Sequence, residues 1–85
     1  MKLFSLSIIS PGNILYEGEA VSLIAPCANG YLGVLADHAP LIAKTLPGKI
    51  TLTKPNNEKI FFDSTTEGVL EVISNQVSII LHKEI

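Results

Sequence analysis

A single cysteine, Cys27, excludes an internal disulfide framework. One thiol cannot build a zinc site by itself, and thiolate chemistry would need an activating neighbour. Cys27 reads as a small, partly buried side chain, compatible with a reducing compartment. A charge excess of one sign is also missing. Six basic against eight acidic residues leave a net charge of −2. With no basic run and no aromatic platform, there is no footprint for nucleic acid or anionic lipid. No segment approaches the roughly 18 apolar residues that cross a bilayer. Met1-Lys2-Leu3-Phe4-Ser5 lacks the apolar stretch of a signal peptide. The chain is expected to be soluble and cytoplasmic, with no direct membrane insertion, touching a membrane only through a partner protein. No window holds a helical period.

What is present is apolar. Such residues make up 47% of the chain and charged ones 16%. For 85 residues this implies a single domain, 1–85, with a thin core and part of its surface covered by another protein.

The apolar residues alternate. Phe4, Leu6 and Ile8 alternate with Ser5 and Ser7, which predicts a half-buried strand. Pro11-Gly12-Asn13 predicts a turn, and Ile14-Leu15-Tyr16 a second strand that Gly18 would bulge or bend. Ala20 to Ala25 predicts a strand stopped by Pro26, followed by the turn Ala28-Asn29-Gly30. Ile42–Thr45, Lys49–Lys54, Glu58–Asp63, Val69–Ile73 and Gln76–Leu81 read the same way. Leu46-Pro47-Gly48, Pro55-Asn56-Asn57 and Ser74-Asn75 mark turns. Turn signals recur roughly every 8–12 residues, as in an all-β sandwich or barrel. The expected fold is all-β: a small antiparallel β-sandwich of about ten short strands with no C-terminal helices. Alternation alone leaves several topologies open.

The least generic stretch is Gly30-Tyr31-Leu32-Gly33-Val34-Leu35-Ala36-Asp37-His38-Ala39-Pro40-Leu41. Two glycines permit positive φ or close approach, and Pro40 pushes Ala39 toward extended geometry. It reads as a shaped connection held down by Leu32, Val34, Leu35 and Leu41. Tyr31 is either a core aromatic or an exposed interface anchor, with the two readings about even. Tyr16, Phe61 and Phe62 read as core or edge-strand residues.

Candidate chemistry is sparse. Asp37 and His38 could form an acid–base pair, but neighbours on extended chain point to opposite faces. His38 reads better as fixing a turn or meeting a partner, and His82 as solvated. Two histidines and scattered carboxylates show no metal-ligand spacing. Gly30-x-x-Gly33 lacks the Lys-Ser/Thr of a phosphate loop. The chain is expected to have no catalytic site, cofactor or metal. Two rivals remain: a stand-alone sandwich that binds a peptide or small ligand at a sheet edge, and a small hydrolase using Asp37, His38 and a carboxylate.

Gly30-Tyr31-Leu32-Gly33-Val34-Leu35-x-x-His38-Ala39-Pro40-Leu41 resembles the signature of the epsilon subunit of F-type ATP synthase. Ser10-Pro11-Gly12, Tyr16-Glu17-Gly18-Glu19-Ala20, Leu46-Pro47-Gly48-Lys49-Ile50, Gly68-Val69-Leu70-Glu71-Val72, Asn75 and Val77 to Leu81 follow that family in order, from about Leu3 to Leu81. There are departures. Ala36-Asp37 stands where the family usually has Pro-Gly or Pro-Asn, and Thr66-Glu67-Gly68-Val69 where it has Ser-Gly-Gly-Phe. The sequence ends at Ile85, before the family's helical hairpin, so a short form without hairpin-based inhibition is expected.

The resemblance implies a non-catalytic rotor subunit of the central stalk. It would couple ion translocation to ATP synthesis, on the cytoplasmic side of the energy-transducing membrane. It also implies two partners, the gamma subunit and the c-subunit ring. Asn29, Gly30 and Tyr31 would meet the c ring, and His38, Ala39, Pro40 and Leu41 would lie toward gamma. The position matching Tyr31 is often acidic in relatives, so its contact here would be aromatic and apolar.

Overall fold

The computed structural model describes residues 2–85, and their regular structure is entirely β. Nine strands follow one another: β1 (Phe4–Ser10), β2 (Asn13–Ala20), β3 (Ser22–Cys27), β4 (Gly30–Leu35), β5 (Leu41–Thr45), β6 (Gly48–Thr53), β7 (Lys59–Ser64), β8 (Gly68–Ile73) and β9 (Gln76–Leu81). The two-residue period of a strand sends alternate side chains to one face. Accordingly β1 buries Phe4, Leu6 and Ile8, β6 buries Ile50 and Leu52, and β9 buries Val77, Ile79 and Leu81. Two-residue turns suffice where left-handed backbone is available. Ser74 (φ 48°) and Asn75 (φ 61°) supply it between β8 and β9.

The strand order is β2-β1-β9-β8-β5-β3-β6-β7, with β4 added beside β3. The β5–β3 join consists of one residue pair, Cys27 with Thr45. There the sheet folds over, so that β2-β1-β9-β8-β5 faces β4-β3-β6-β7. Phe4, Leu6, Ile8, Leu70, Val72 and Ile79 from one half meet Leu23, Ala25, Val34, Ile50 and Leu52 from the other in one core. This is the all-β sandwich that the alternation implied.

Four details differ from the sequence reading. The described residues form nine strands, where about ten were expected. β1 pairs with β9 in parallel, within an otherwise antiparallel arrangement. The bulge in β2 falls at Leu15, between the pairs Ile8–Tyr16 and Ile9–Ile14, while Gly18 stays in register opposite Leu6. The Tyr16 ring lies over Gly18: a Cβ there would sit 3.3 Å from the phenol oxygen, which donates to the Glu19 carbonyl at 2.7 Å. Finally, Pro26 does not end β3. It lies where β3 changes neighbour from β6 to β5, and its carbonyl accepts from Leu46 N at 2.9 Å. Its missing N–H falls in that gap in the ladder.

Candidate functional site

The stretch from Gly30 to Leu35 is a strand and not a connection. It pairs residue for residue with β3, from Cys27–Gly30 to Ser22–Leu35. Ala28 and Asn29 form the two-residue turn, and Gly30 takes φ 110°, which favours glycine. Alternation then decides each side chain. Val34 is buried and Leu32 half-buried, whereas Tyr31 and Leu35 face outward at 64% and 62% exposure. Leu35 therefore does not hold the segment down. Gly33 shares their outer face, and a Cβ placed there would meet nothing within 4 Å. Of the two readings of Tyr31, the core aromatic is excluded, and its ring is exposed. Tyr31 stands opposite Pro26, and a Cβ on Gly48 would lie 3.1 Å from Pro26 Cγ and 3.6 Å from the Tyr31 hydroxyl.

Beside this hairpin runs a groove of about 270 Å³, lined by Cys27, Asn29, Gly30, Tyr31, Leu41 and Lys44 among others. Burial pushes the Cys27 thiol up, away from the thiolate that reacts. Lys44 is paired with Glu67 at 3.1 Å. The groove gathers Asn29, Gly30, Tyr31 and Leu41. The remaining expected residues, His38, Ala39 and Pro40, lie past the other end of β4, about 13 Å of strand from Tyr31 by strand rise.

In that second region Asp37 takes left-handed backbone, φ 65°. Asp37 N donates to Asn75 Oδ1 at 2.6 Å, and Asn75 Nδ2 donates back to Asp37 Oδ1 at 3.0 Å. Lys2 Nζ binds the other carboxylate oxygen at 2.6 Å. The Lys2 hydrogen bond, then that of Asn75, hold the Asp37 carboxyl below its usual range. His38 N donates to Leu35 O at 3.3 Å, and its Nδ1 lies 2.7 Å from the Ala39 carbonyl. Ala39 and Pro40 are exposed, and half-buried Leu41 opens β5 opposite Val72. Asp37 thus spends its carboxylate on Lys2 and Asn75, not on His38, and the acid–base pair has no geometry. The Asp37–Asn75 contact was not foreseen. Left-handed Asn in a Ser-Asn turn is a readable signal, but its partner 38 residues away is not.

A family model described as ATP synthase, Delta/Epsilon chain, beta-sandwich domain, matches residues 3–83. The chain belongs to this family. It is 40% identical over 77 residues to the ATP synthase epsilon chain of Dichelobacter nodosus, covering 91% of this chain and 53% of that one. With the ATP synthase epsilon chain of Leptospira borgpetersenii serovar Hardjo-bovis it shares 42% over 76 residues, 89% of this chain and 58% of the other. The chain thus spans a little over half the length of these relatives. A chain of the Euglena gracilis mitochondrial ATP synthase, solved as OSCP/F1/c-ring, superposes with a TM-score of 0.88. It is 16% identical, with 98% of this chain and 52% of that chain covered. A chain of the Tetrahymena thermophila mitochondrial ATP synthase central stalk/c-ring gives 0.70 at 12% identity, covering 93% and 63%. At such identities the superpositions show the fold.

As a delta/epsilon β-sandwich, the chain closes both turns at which its sequence departs from the family pattern. Asp37 is held by Asn75 as described. Before β8, the Ser64 hydroxyl donates to Thr66 O at 2.8 Å and accepts from Thr66 N at 3.3 Å. Each departing turn carries its own side-chain hydrogen bonds.

Proposed function

We propose that this domain is a non-catalytic part of the central stalk of an F-type ATP synthase, coupling ion translocation to ATP synthesis. Asn29, Gly30 and Tyr31 meet the c ring, and His38, Ala39, Pro40 and Leu41 meet the gamma subunit. The domain works on the cytoplasmic side of the energy-transducing membrane, held there by its partners. The observation that carries this reading is the family match over 3–83, nearly the whole chain. The names of the relatives and the assemblies of the structural neighbours support it.

The geometry suits the role. A rotor part must transmit torque as a rigid body between two partners, and exposed Tyr31 near one end of β4 and exposed Ala39 and Pro40 past the other provide two attachment points. Tyr31 offers a large, low-entropy contact of the kind that anchors interfaces. No helix among the described residues is long and apolar enough to cross a membrane.

The test is gel filtration of the purified protein with gamma and with the catalytic subcomplex of the same organism. One-to-one co-elution with gamma supports the reading. A folded monomer that binds neither would overturn it, and the sheet-edge binding module would take its place. Tyr31→Ala is expected to weaken docking on the c ring while the domain stays folded, and undiminished assembly and coupling in that variant would remove Tyr31 from the interface.

A further inference from the structure

The segment proposed to meet gamma has little regular structure of its own. Residues 36–40 lie between β4 and β5, outside any strand. An irregular, exposed segment ordinarily samples many conformations, and only the fraction in the binding geometry can dock. Here the segment is tied to distant parts of the chain through Asp37. The Asn75 carboxamide takes the Asp37 N–H on its oxygen and gives an N–H to the Asp37 carboxylate. Asn75 is itself held, since its carbonyl accepts from Ser5 N at 2.9 Å at the start of β1. Both residues sit in left-handed backbone, φ 61° and 65°. The β8–β9 turn, the start of β1 and the β4–β5 connection therefore meet at one residue, β1 at its backbone carbonyl and the connection at its carboxamide.

We propose that Asn75 is a positioning residue for docking. Its carboxamide grips the Asp37 backbone and side chain together and holds His38, Ala39 and Pro40 in the geometry that gamma recognises. Lys2 seats the far carboxylate oxygen and keeps Asp37 turned toward Asn75. The inference rests on the gamma reading above and adds to it a residue outside the contact surface.

A purely structural role for Asn75, as a former of the β8–β9 turn, makes a different prediction. Glycine accepts left-handed backbone without penalty, so Asn75→Gly preserves the turn and removes only the grip. The experiment uses the whole chain and the purified gamma subunit of the same organism. Asn75→Gly is expected to melt near the wild-type temperature and to exchange the Asp37 amide hydrogen at least about tenfold faster. It should bind gamma about fivefold or more weakly, with the deficit in the association rate, because fewer molecules are pre-set for docking. Asp37→Gly, also at a left-handed position, removes the carboxylate but keeps the backbone N–H that Asn75 Oδ1 accepts, so it should lose less gamma affinity than Asn75→Gly, and the double variant should be no worse than Asn75→Gly.

Unchanged exchange at Asp37 in Asn75→Gly would overturn the grip. Faster exchange with undiminished gamma affinity would overturn the positioning role alone. Wild-type protein that fails to bind gamma would overturn the docking reading and this proposal with it, which separates the two failures.

Discussion

Gly68→Ala should damage this domain far more than its size suggests. Gly68 opens β8 in the middle of one half of the sandwich, paired to Thr45 of β5 on one side and Leu81 of β9 on the other. A methyl group at its Cα would lie 2.6 Å from the Ile80 carbonyl oxygen, 3.0 Å from Leu81 Cδ2 and 3.0 Å from Thr45 Oγ1. The last two atoms can rotate away. The carbonyl cannot, because it belongs to the neighbouring strand, and so β8 must be pushed off β9. Overpacking of this kind costs about 1–3 kcal/mol. For a domain of this size each kcal/mol lowers Tm by about 4–8 °C, so a fall of about 5–20 °C is expected. The assay is thermal unfolding by circular dichroism, with urea titration as a check. Gly33→Ala is the control, since it adds the same methyl to a strand where nothing lies within 4 Å. It should leave Tm unchanged or raise it slightly. A Gly68→Ala variant melting within about 2 °C of wild type would refute the steric argument. Pairing it with Leu81→Ala should give no rescue, because the nearest obstacle is backbone.

Further outcomes follow from burial and charge. Ile79→Ala empties a fully buried site between the two halves and should cost about 2–5 kcal/mol by urea denaturation. Asp37 has a folded pKa below its unfolded one, so its contribution is present above the unfolded value of about 3.9 and is lost as pH falls through the folded value. A carbon-detected titration should place its midpoint below that of an ordinary aspartate, and Lys2→Ala should move it upward. Cys27, whose thiol is raised by burial, should react with a disulfide reagent at pH 8 more slowly than free cysteine, and regain speed in denaturant.

The outline of the fold was legible wherever one face of a strand is buried. In β1, β6 and β9 strict alternation marks the inner face, and Phe4, Ile50 and Ile79 lie where the pattern puts them. Legibility failed where the backbone follows distant partners. β4 carries two glycines and mixes apolar residues on both faces, so its pairing with β3 is not written in its own composition. Gly18 carries the usual mark of a bulge, but the neighbouring Tyr16 ring covers it, and the extra residue falls at Leu15. The parallel pairing of β1 with β9 joins residues from opposite ends of the chain, which no local pattern encodes. At the candidate site, exposure of Tyr31 was one of two open readings. The Asp37–Asn75 grip, made by side chains 38 positions apart, was invisible.

That parallel pairing also bears on how the protein can be born. β1 leaves the ribosome before the other strands of the sandwich, and it finds β2 at once through a short turn. Its other edge belongs to β9, so until β9 is made that edge stays bare, with hydrogen-bonding groups and the apolar side of Phe4, Leu6 and Ile8 uncovered. Local pairings can form early, but the sandwich closes only when Gln76–Leu81 has cleared the exit tunnel. At about 5–20 residues per second, the wait lasts several seconds. The nascent sandwich is therefore most open to mispairing and to chaperones just before β9 arrives.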